Sequence, residues 1–231
     1  MQTPTRLLAL AAVFATAAVS SSFAGTYANI SVLDESFDDW AGIDAVYTDP
    51  IGDGDPGDIH QIFLANNDTH LFIRVVFNAE INPNAGSPSL FIGIDNDSNT
   101  ATGFDVYGLG LIGSEAAWQN DFAFEQATGV FNTGATTSGA NAGISPYYTV
   151  TIQQEISISR AAIIDAGNNQ QVFPNTSFNL ALYFNAGTVD DFAGPVAYTF
   201  ASSTIPEPSA AAIFAGAGVL SLAFGLRRRR R

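Results

Sequence analysis

Cysteine is absent from the sequence, and positive charge is scarce. Without cysteine, no disulfide can stabilise the fold and no thiolate can serve as a nucleophile. The chain holds 8 Lys and Arg residues against 22 Asp and Glu residues, which gives a net charge of −14. This excess of negative charge repels phosphates, so it excludes nucleic-acid binding and favours cations or neutral sugars as ligands.

Catalytic motifs are also missing. His60 and His70 are the only histidines, and the sequence contains neither an HExxH zinc motif nor a Gly-x-Ser-x-Gly nucleophile turn. We therefore do not expect an enzyme. A glycan-acting enzyme that uses a pair of carboxylates remains the third alternative, because the many acidic residues supply many pairs.

The first residues have the pattern of a secretory signal. Arg6 precedes an apolar run from Leu7 to Val19, and Ser22-Phe23-Ala24 offers small residues at the positions that signal peptidase prefers. The run would span only about 20 Å as a helix, which is short of the roughly 30 Å membrane core. We predict a signal peptide over residues 1–24, with cleavage after Ala24.

The last residues combine an apolar stretch with a cationic terminus. Ser209 to Leu226 are 18 residues without a charge, or about 27 Å as a helix, which is enough to span a membrane. The arginines that follow would hold the C-terminus in the cytoplasm and leave the preceding residues outside. The segment comprises a Pro-Glu-Pro motif, the apolar stretch and an arginine cluster: Pro206, Glu207, Pro208, then Arg227, Arg228, Arg229, Arg230 and Arg231.

In this order, these three parts resemble the PEP-CTERM sorting signal over residues 205–231. The resemblance implies processing by exosortase, a membrane protease-transferase that cuts near the Pro-Glu-Pro motif. The apolar stretch would then hold the protein in the inner membrane only transiently, before delivery to the cell surface or the extracellular space. The two prolines fit this implication, because they block helix formation at the membrane face.

Residues 25–204 form one predicted domain with a very uneven charge. This body contains 21 acidic residues against Arg74 and Arg160, a net charge of −19. We expect each arginine to pair with a neighbouring carboxylate and to hold a loop in place. Bound cations would reduce the repulsion among the acids.

Apolar residues in this body recur with a period of two, which is typical of strands. The pattern predicts an all-β fold, a single β-sandwich of the jelly-roll or Ig-like type, flanked by the two export segments. We expect a long flexible loop over 128–143 and a short helical piece over 160–165. The predicted strands lie at 62–64, 71–77, 90–94, 106–112, 118–124, 147–158, 178–184 and 196–200. The first two form a predicted hairpin about the turn Asn66-Asn67-Asp68. In the strand over 147–158 we expect Val150, Ile152, Ile156 and Ile158 on the buried face and Glu155 on the solvent face.

Two acidic turns are candidate calcium sites, because carboxylate and amide oxygens at alternate positions can surround a hard cation. The candidate ligands are Asp95, Asp97, Asn99 and Asp105 in one turn, and Asp53, Asp55 and Asp58 in the other. The first turn does not match an EF-hand, since Thr100 occupies the position of its glycine and Val106 that of its bidentate glutamate. Solvated Asx turns without an ion are the alternative for both.

Aromatic residues offer a second kind of candidate site. We assign Trp40 to the core, and Trp118, Tyr107 and Tyr147, with its neighbour Tyr148, to a candidate ligand platform.

Several short motifs of the body together resemble family 9 carbohydrate-binding modules and related DOMON-like sandwiches. They are Asp38-Asp39-Trp40, Tyr47-Thr48-Asp49-Pro50, Gly57-Asp58, Leu71-Phe72-Ile73-Arg74, Ile94-Asp95-Asn96-Asp97, Ala101-Thr102-Gly103-Phe104 and Ile112-Gly113-Ser114-Glu115. The resemblance implies sugar binding and structural calcium, although neither Trp40 nor Trp118 matches a sugar-stacking position. Together with the export segments, this resemblance predicts an exported, non-enzymatic protein that binds exopolysaccharide. A structural or adhesive surface protein without a small ligand is the alternative.

Overall fold

A computed structural model describes residues 23–185 and 189–203 of the protein. These residues form strands and three short 3-10 turns, at Val32–Asp34, Asp38–Trp40 and Val106–Gly108. The strands are β1 (Phe23–Ala24), β2 (Tyr47–Thr48), β3 (Ile59–Asn66), β4 (His70–Ile81), β5 (Ser89–Asp95), β6 (Phe104–Asp105), β7 (Gly113–Ser114), β8 (Ala116–Gln119), β9 (Phe122–Glu125), β10 (Gly143–Ser145), β11 (Thr151–Ser159), β12 (Ile163–Asp165), β13 (Gln170–Gln171), β14 (Ser177–Asn185) and β15 (Val189–Thr199).

Two main sheets share one apolar core, which confirms the predicted all-β sandwich. One sheet has the strand order β1-β15-β14-β5-β8-β9, and the other has the order β10-β11-β4-β3-β2. Alternate residues of the central strands, such as Leu64, Ile73, Ile94 and Leu182, are fully buried between the sheets. The burial of alternate residues is what the period-two pattern predicts. Strand β5 is buried on both faces, because a second apolar cluster that includes Phe91 and Tyr183 covers its outer side.

The hairpin predicted around residues 66–68 is confirmed. Strands β3 and β4 pair in antiparallel register. The side-chain oxygen of Asn67 accepts the backbone N–H groups of Thr69 and His70 at 2.9 and 2.8 Å. This Asx-type turn places Arg160 nearby, because strand β11 pairs with β4 and ends opposite His70.

Three segments differ from the predicted elements. Residues 106–112 form a 3-10 turn and a loop between β6 and β7 instead of a strand. Residues 118–124 form the β8–β9 hairpin, whose turn contains Asn120 at a φ of 58°. Residues 160–165 lead into β12 and are not helical. At 118–124 and 160–165 the short-range periodicity was overridden by strand pairing that the local sequence does not specify.

Strand β11 also departs from the expected alternation. Val150 and Ile152 are exposed, whereas Gln154 and Glu155 are buried. The pairing register of β11 with β4 shifts between Thr151 and Gln153. Such a β-bulge reverses the face to which the side chains on one side of it point.

The loop over 128–143 packs against the sandwich. Ala140 and Ala142 are buried, and the indole N–H of Trp118 donates to the Ala140 carbonyl at 2.7 Å. Trp40 is 2% exposed and packs edge-on against Phe63, which confirms its assignment to the core.

The predicted export segments lie mostly outside the described residues. Phe23 and Ala24 pair in parallel with Tyr198 and Thr199, so the sheet includes the last two residues of the predicted signal peptide. The Gly25 N–H also donates to the Thr199 carbonyl at 2.9 Å, a bond that cleavage after Ala24 would leave in place. No helix within 23–185 or 189–203 is long and apolar enough to cross a membrane. The predicted span over 209–226 lies beyond these residues.

Candidate functional site: two carboxylate clusters

A first carboxylate cluster, Asp95, Asp97 and Glu115, forms where strand β5 ends. Their carboxylate oxygens lie within 4.8 Å of one another. Asp95 is the fully buried last residue of β5, and Glu115 stands between β7 and β8. The Glu115 N–H donates to the Ile94 carbonyl, so the antiparallel pairing of β8 with β5 brings Glu115 to the turn.

Hydrogen bonds hold this first cluster but leave oxygen atoms free. Asp95 accepts the Asn99 N–H at 3.2 Å and the Asn179 amide at 3.1 Å. Glu115 Oε2 accepts the Asn96 N–H at 2.9 Å, while its buried Oε1 has no hydrogen-bond partner. Burial, with the charges of Asp97 and Asp95 adding to it, raises the pKa of Glu115 to about 7. The cluster therefore carries an unsatisfied acceptor that a cation would satisfy.

The structure brings together only some of the ligands predicted for this turn. Asp95 and Asp97 are in the first cluster. The Asn99 side-chain oxygen accepts the Ala101 N–H at 3.2 Å, and Asp105 accepts the Gly110 N–H at 2.8 Å, so both cap local turns. The sequence analysis missed Glu115, whose signal would have been the pairing of β8 with β5.

A second carboxylate cluster, Asp49, Asp53 and Asp191, joins both ends of the domain. Its oxygens also lie within 4.8 Å of one another. Asp49 follows β2 and is 5% exposed, Asp191 lies in β15 and is 4% exposed, and Asp53 is on the surface. The sequence analysis missed Asp49 and Asp191, because only the fold places β15 beside β2.

Backbone N–H groups of the loop over 50–58 donate hydrogen bonds to neighbouring carboxylates, which hold the loop in place. Asp190 accepts the Asp55 and Gly57 N–H groups at 2.9 and 3.1 Å, and Asp191 accepts the Ile59 N–H. Asp58 accepts the Gly52 N–H at 2.7 Å. Of the predicted ligands here, Asp53 is in the cluster and Asp58 is buried close to Asp191, whereas Asp55 is exposed and contributes its backbone.

Two buried oxygens beside this loop have no hydrogen-bond partner, Asp49 Oδ2 and Asp58 Oδ1. Burial, followed by the charge of Asp191, raises the pKa of Asp49 to about 7. Burial also raises the pKa of Asp191, against the N–H groups of Ile59 and Phe192 that lower it. Clustered carboxylates with free oxygens and no cationic side chain beside them suit a hard divalent cation.

The arginines of the body are used elsewhere. The Arg74 guanidinium lies 4.8 Å from the ring centroid of Phe63 and 5.4 Å from that of Phe37, and it donates to Gln153 Oε1 at 2.6 and 3.1 Å. Arg160 lies 4.1 Å from the ring centroid of Phe200. Among the described residues neither forms a close ion pair. Arg74 lies opposite Glu155 in the β4–β11 register, and the two charges attract each other, so the expectation of a carboxylate partner is wrong for Arg160 alone. Cation–π contacts take the place of close ion pairs.

The predicted aromatic platform is dispersed in the structure. Trp118 is fully buried in the core, so it cannot stack on a ligand from solvent. Tyr107 is half-buried, packs edge-on against Tyr183 and donates its hydroxyl to the Phe184 carbonyl. These two assignments to an exposed surface are corrected by their packing.

Tyr147 is exposed together with its neighbour Tyr148. Tyr147 and Tyr148 are 40% and 57% exposed, and their rings meet edge-on at 4.4 Å. The Tyr147 hydroxyl donates to Asp121 at 2.8 Å, and the Asn120 amide lies 3.5 Å from the Tyr148 hydroxyl. Tyr148 has a φ of 53°, an uncommon value for a side chain of this size. We call these two residues the tyrosine pair.

Comparisons with known proteins give one similarity to report. No family model matches the chain, and no curated protein matches it. A solved structure of a family 9 carbohydrate-binding module from Caldicellulosiruptor kristjanssonii, in complex with cellotriose, is similar with a TM-score of 0.46 and 9% identity. The match covers 79% of this chain and 96% of that one. At these values the similarity assigns no role to any residue.

Proposed function

We propose that this chain is an exported protein of the cell surface or extracellular matrix, whose non-enzymatic β-sandwich binds carbohydrate, plausible partners being exopolysaccharides. The observation that carries the proposal is the tyrosine pair. Exposed tyrosine rings can stack on the apolar faces of sugar rings, and the flanking Asp121 and Asn120 can bond to sugar hydroxyls. This pairing of apolar surface with a few polar groups is typical of a ligand site.

Calcium is the second part of the proposal. It would bind the first cluster through Asp95, Asp97 and Glu115, and the second through Asp49, Asp53 and Asp191, with Asp58 close by. The support is the set of buried oxygens without partners on Glu115, Asp49 and Asp58. Oxygen-rich clusters of this kind are what calcium prefers, whereas magnesium demands a stricter geometry. Calcium would act structurally, by neutralising repulsion among carboxylates.

Burial supports a non-enzymatic role. The carboxyls whose pKa is raised to about 7 are Asp49, Glu115 and Glu155. Asp49 and Glu155 are 5% and 1% exposed, and Glu115 is half-buried. A glycosidase needs its two carboxyls on either side of a substrate in an accessible cleft.

Export and sorting complete the proposal. Signal peptidase would remove residues 1–24, the inner membrane would hold residues 209–226 transiently, and exosortase would cut near Pro206-Glu207-Pro208. Intact mass of the cell-surface protein tests this part directly. The expected mass lacks Arg227 to Arg231, and mature surface protein that retained residues 209–231 would contradict it.

A glycan array, probed with the purified exported protein in calcium, tests carbohydrate binding. We expect binding that Tyr147→Ala reduces by about tenfold, in line with the loss of one stacking contact. Tyr147→Phe is the matched control, since it keeps the ring and removes only the bond to Asp121. Absence of binding to every glycan would favour the structural or adhesive protein. Turnover of a polysaccharide would favour the enzyme.

A further inference from the structure

A cavity of about 530 Å³ opens at the end of the sandwich where the β3–β4 turn meets the end of β11. Its wall includes Asp68, Arg160, Gln171, Phe173, Asn175 and Phe200. Volumes in this range hold small ligands. The cavity lies away from the tyrosine pair, because β11 runs from beside that pair to Arg160 at its opposite end.

Arg160 is fixed in this wall by two contacts. Its guanidinium stacks over Phe200 with 4.1 Å to the ring centroid, and its NH1 donates to the Asn67 carbonyl at 2.8 Å. One contact orients the guanidinium plane and the other fixes its rotation. The remaining N–H groups on Nε and NH2 form no hydrogen bond with the described residues. A planar donor edge held in this way is preorganised for a carboxylate.

Among the described residues Arg160 has no acidic partner, although acidic residues are abundant in the body. The body carries 21 acidic residues and two arginines, yet no carboxylate of residues 23–185 or 189–203 forms an ion pair with Arg160. Asp68, which also lines the cavity, instead accepts the Tyr27 hydroxyl at 3.2 Å. The other cation, Arg74, lies outside this wall. Within the part of the chain that the structure describes, Arg160 is therefore the one guanidinium that lines the cavity.

The other groups in the wall suit a polyhydroxylated ligand. Gln171 and Asn175 are exposed amides, and the Asn175 amide also donates to the Asn96 carbonyl at 3.0 Å. Phe173 and Phe200 contribute only the small apolar edges that their 7% and 8% exposure leaves open. We propose that this cavity binds a uronic acid unit, a sugar that bears a carboxylate, with the carboxylate paired to Arg160. This inference rests on the proposed carbohydrate-binding function and adds both a ligand class and a second location.

The negative charge of the body does not prevent this binding. At physiological ionic strength, charges separated by more than about 8 Å are largely screened. The contact with Arg160 is short range, so it outweighs the distant acids, and Asp68, the acidic residue of the wall, accepts the Tyr27 hydroxyl. Binding should still weaken as salt is added, because the pair lies near solvent.

Calorimetric titration of the exported protein in calcium, with trigalacturonate and with cellotriose, tests the inference. We expect trigalacturonate to bind more tightly than cellotriose, and Arg160→Gln to weaken only trigalacturonate, by about tenfold or more. Ala161→Phe is the second variant. It places a ring at an exposed position in the cavity wall without removing an Arg160 contact, and it should also weaken trigalacturonate.

Arg74→Gln is the matched control, because it removes the same charge at a position outside the cavity wall and should leave trigalacturonate binding unchanged. If both sugars bind equally and Arg160→Gln changes neither, the inference is wrong while carbohydrate binding stands. If trigalacturonate binds through calcium alone, Arg160→Gln again has no effect and the inference fails. If no sugar binds, the inference and the proposed function both fail. Thermal melts of each variant show that the fold persists.

Discussion

The first cluster draws its carboxylates from residues 95 to 115, whereas the second joins Asp49 and Asp53 to Asp191 from the far end of the domain. In the first, a single turn supplies two members, and the adjacent strand pairing supplies the third. In the second, the members meet only after β15 has taken its place. The comparison indicates that the two clusters serve different purposes. The first would stabilise a local turn, and the second would fasten the ends of the chain together.

Removal of calcium should have the largest effect. With calcium at about 100 times its dissociation constant, one site adds about 2.7 kcal/mol to the free energy of unfolding. For a domain of this size, that corresponds to a change of about 5–10 °C in melting temperature. Melting followed by circular dichroism in millimolar calcium and in EDTA measures it. Identical melting temperatures would remove structural calcium from the proposal.

Gly57→Ala should damage the second cluster alone. An added Cβ would lie 2.5 Å from ring carbons of Phe184, and the loop fastened to Asp190 would have to move. Overpacking of this kind costs about 1–3 kcal/mol. Urea unfolding gives the stability, and calcium titration gives the affinity. Gly42→Ala is the control, because that glycine has open space around it. Its positive φ of 81° still adds some strain.

Asp49→Asn should change stability in opposite directions with and without calcium. In EDTA the substitution removes a buried charge beside Asp191 and should stabilise by about 1 kcal/mol. In calcium it removes a ligand and should destabilise. Asp97→Asn, in the more exposed first cluster, should also stabilise in EDTA and destabilise in calcium, but both changes in the free energy of unfolding should be smaller. Urea unfolding in both buffers measures all four combinations. Equal effects of the two substitutions would end the distinction between the clusters.

Glu155→Gln tests whether burial alone makes the free energy of unfolding depend on pH, because Glu155 is buried but belongs to neither carboxylate cluster. Burial raises the pKa of Glu155 to about 7 from its ordinary 4.5. The folded protein then keeps a proton that the unfolded chain releases, so the free energy of unfolding should fall as pH rises from 4.5 to 7. We expect about 1–2 kcal/mol. Urea midpoints between pH 5 and 8, in saturating calcium, measure this slope.

The neutral glutamine should flatten that part of the pH profile and make the variant more stable than the native protein above pH 7. Near pH 5 the two proteins should converge, since Glu155 is protonated there. A profile that Glu155→Gln leaves unchanged would show that the clusters cause the pH dependence.

The sequence predicts local features of the fold well and distant ones poorly. The β3–β4 hairpin was predictable because Asn67 closes its turn with its own side chain. The β8–β9 hairpin was not, since residues 118–124 read as one continuous apolar strand. The faces of β11 were assigned wrongly, because the bulge between Thr151 and Gln153 leaves no mark on the apolar pattern.

The candidate site divides in the same way. Asp95 and Asp97 were predictable because they occupy alternate positions of one turn. Glu115, Asp49 and Asp191 were not, since no spacing in the sequence relates them to that turn or to Asp53. Tyr147 was predictable as an exposed aromatic, but Trp118 and Tyr107 could be separated from it only by their burial.

By itself, the sequence determined the all-β class, the negative charge of the body and the turns that are rich in acidic residues. These follow from composition and from short-range periodicity, which act residue by residue. Tertiary structure alone decided which carboxylates meet, which aromatic residues reach the surface, and that Arg160 lines a cavity without an ion pair to any carboxylate of the described residues. Such contacts depend on strand order and register, and apolar burial selects these through the packing of the whole core.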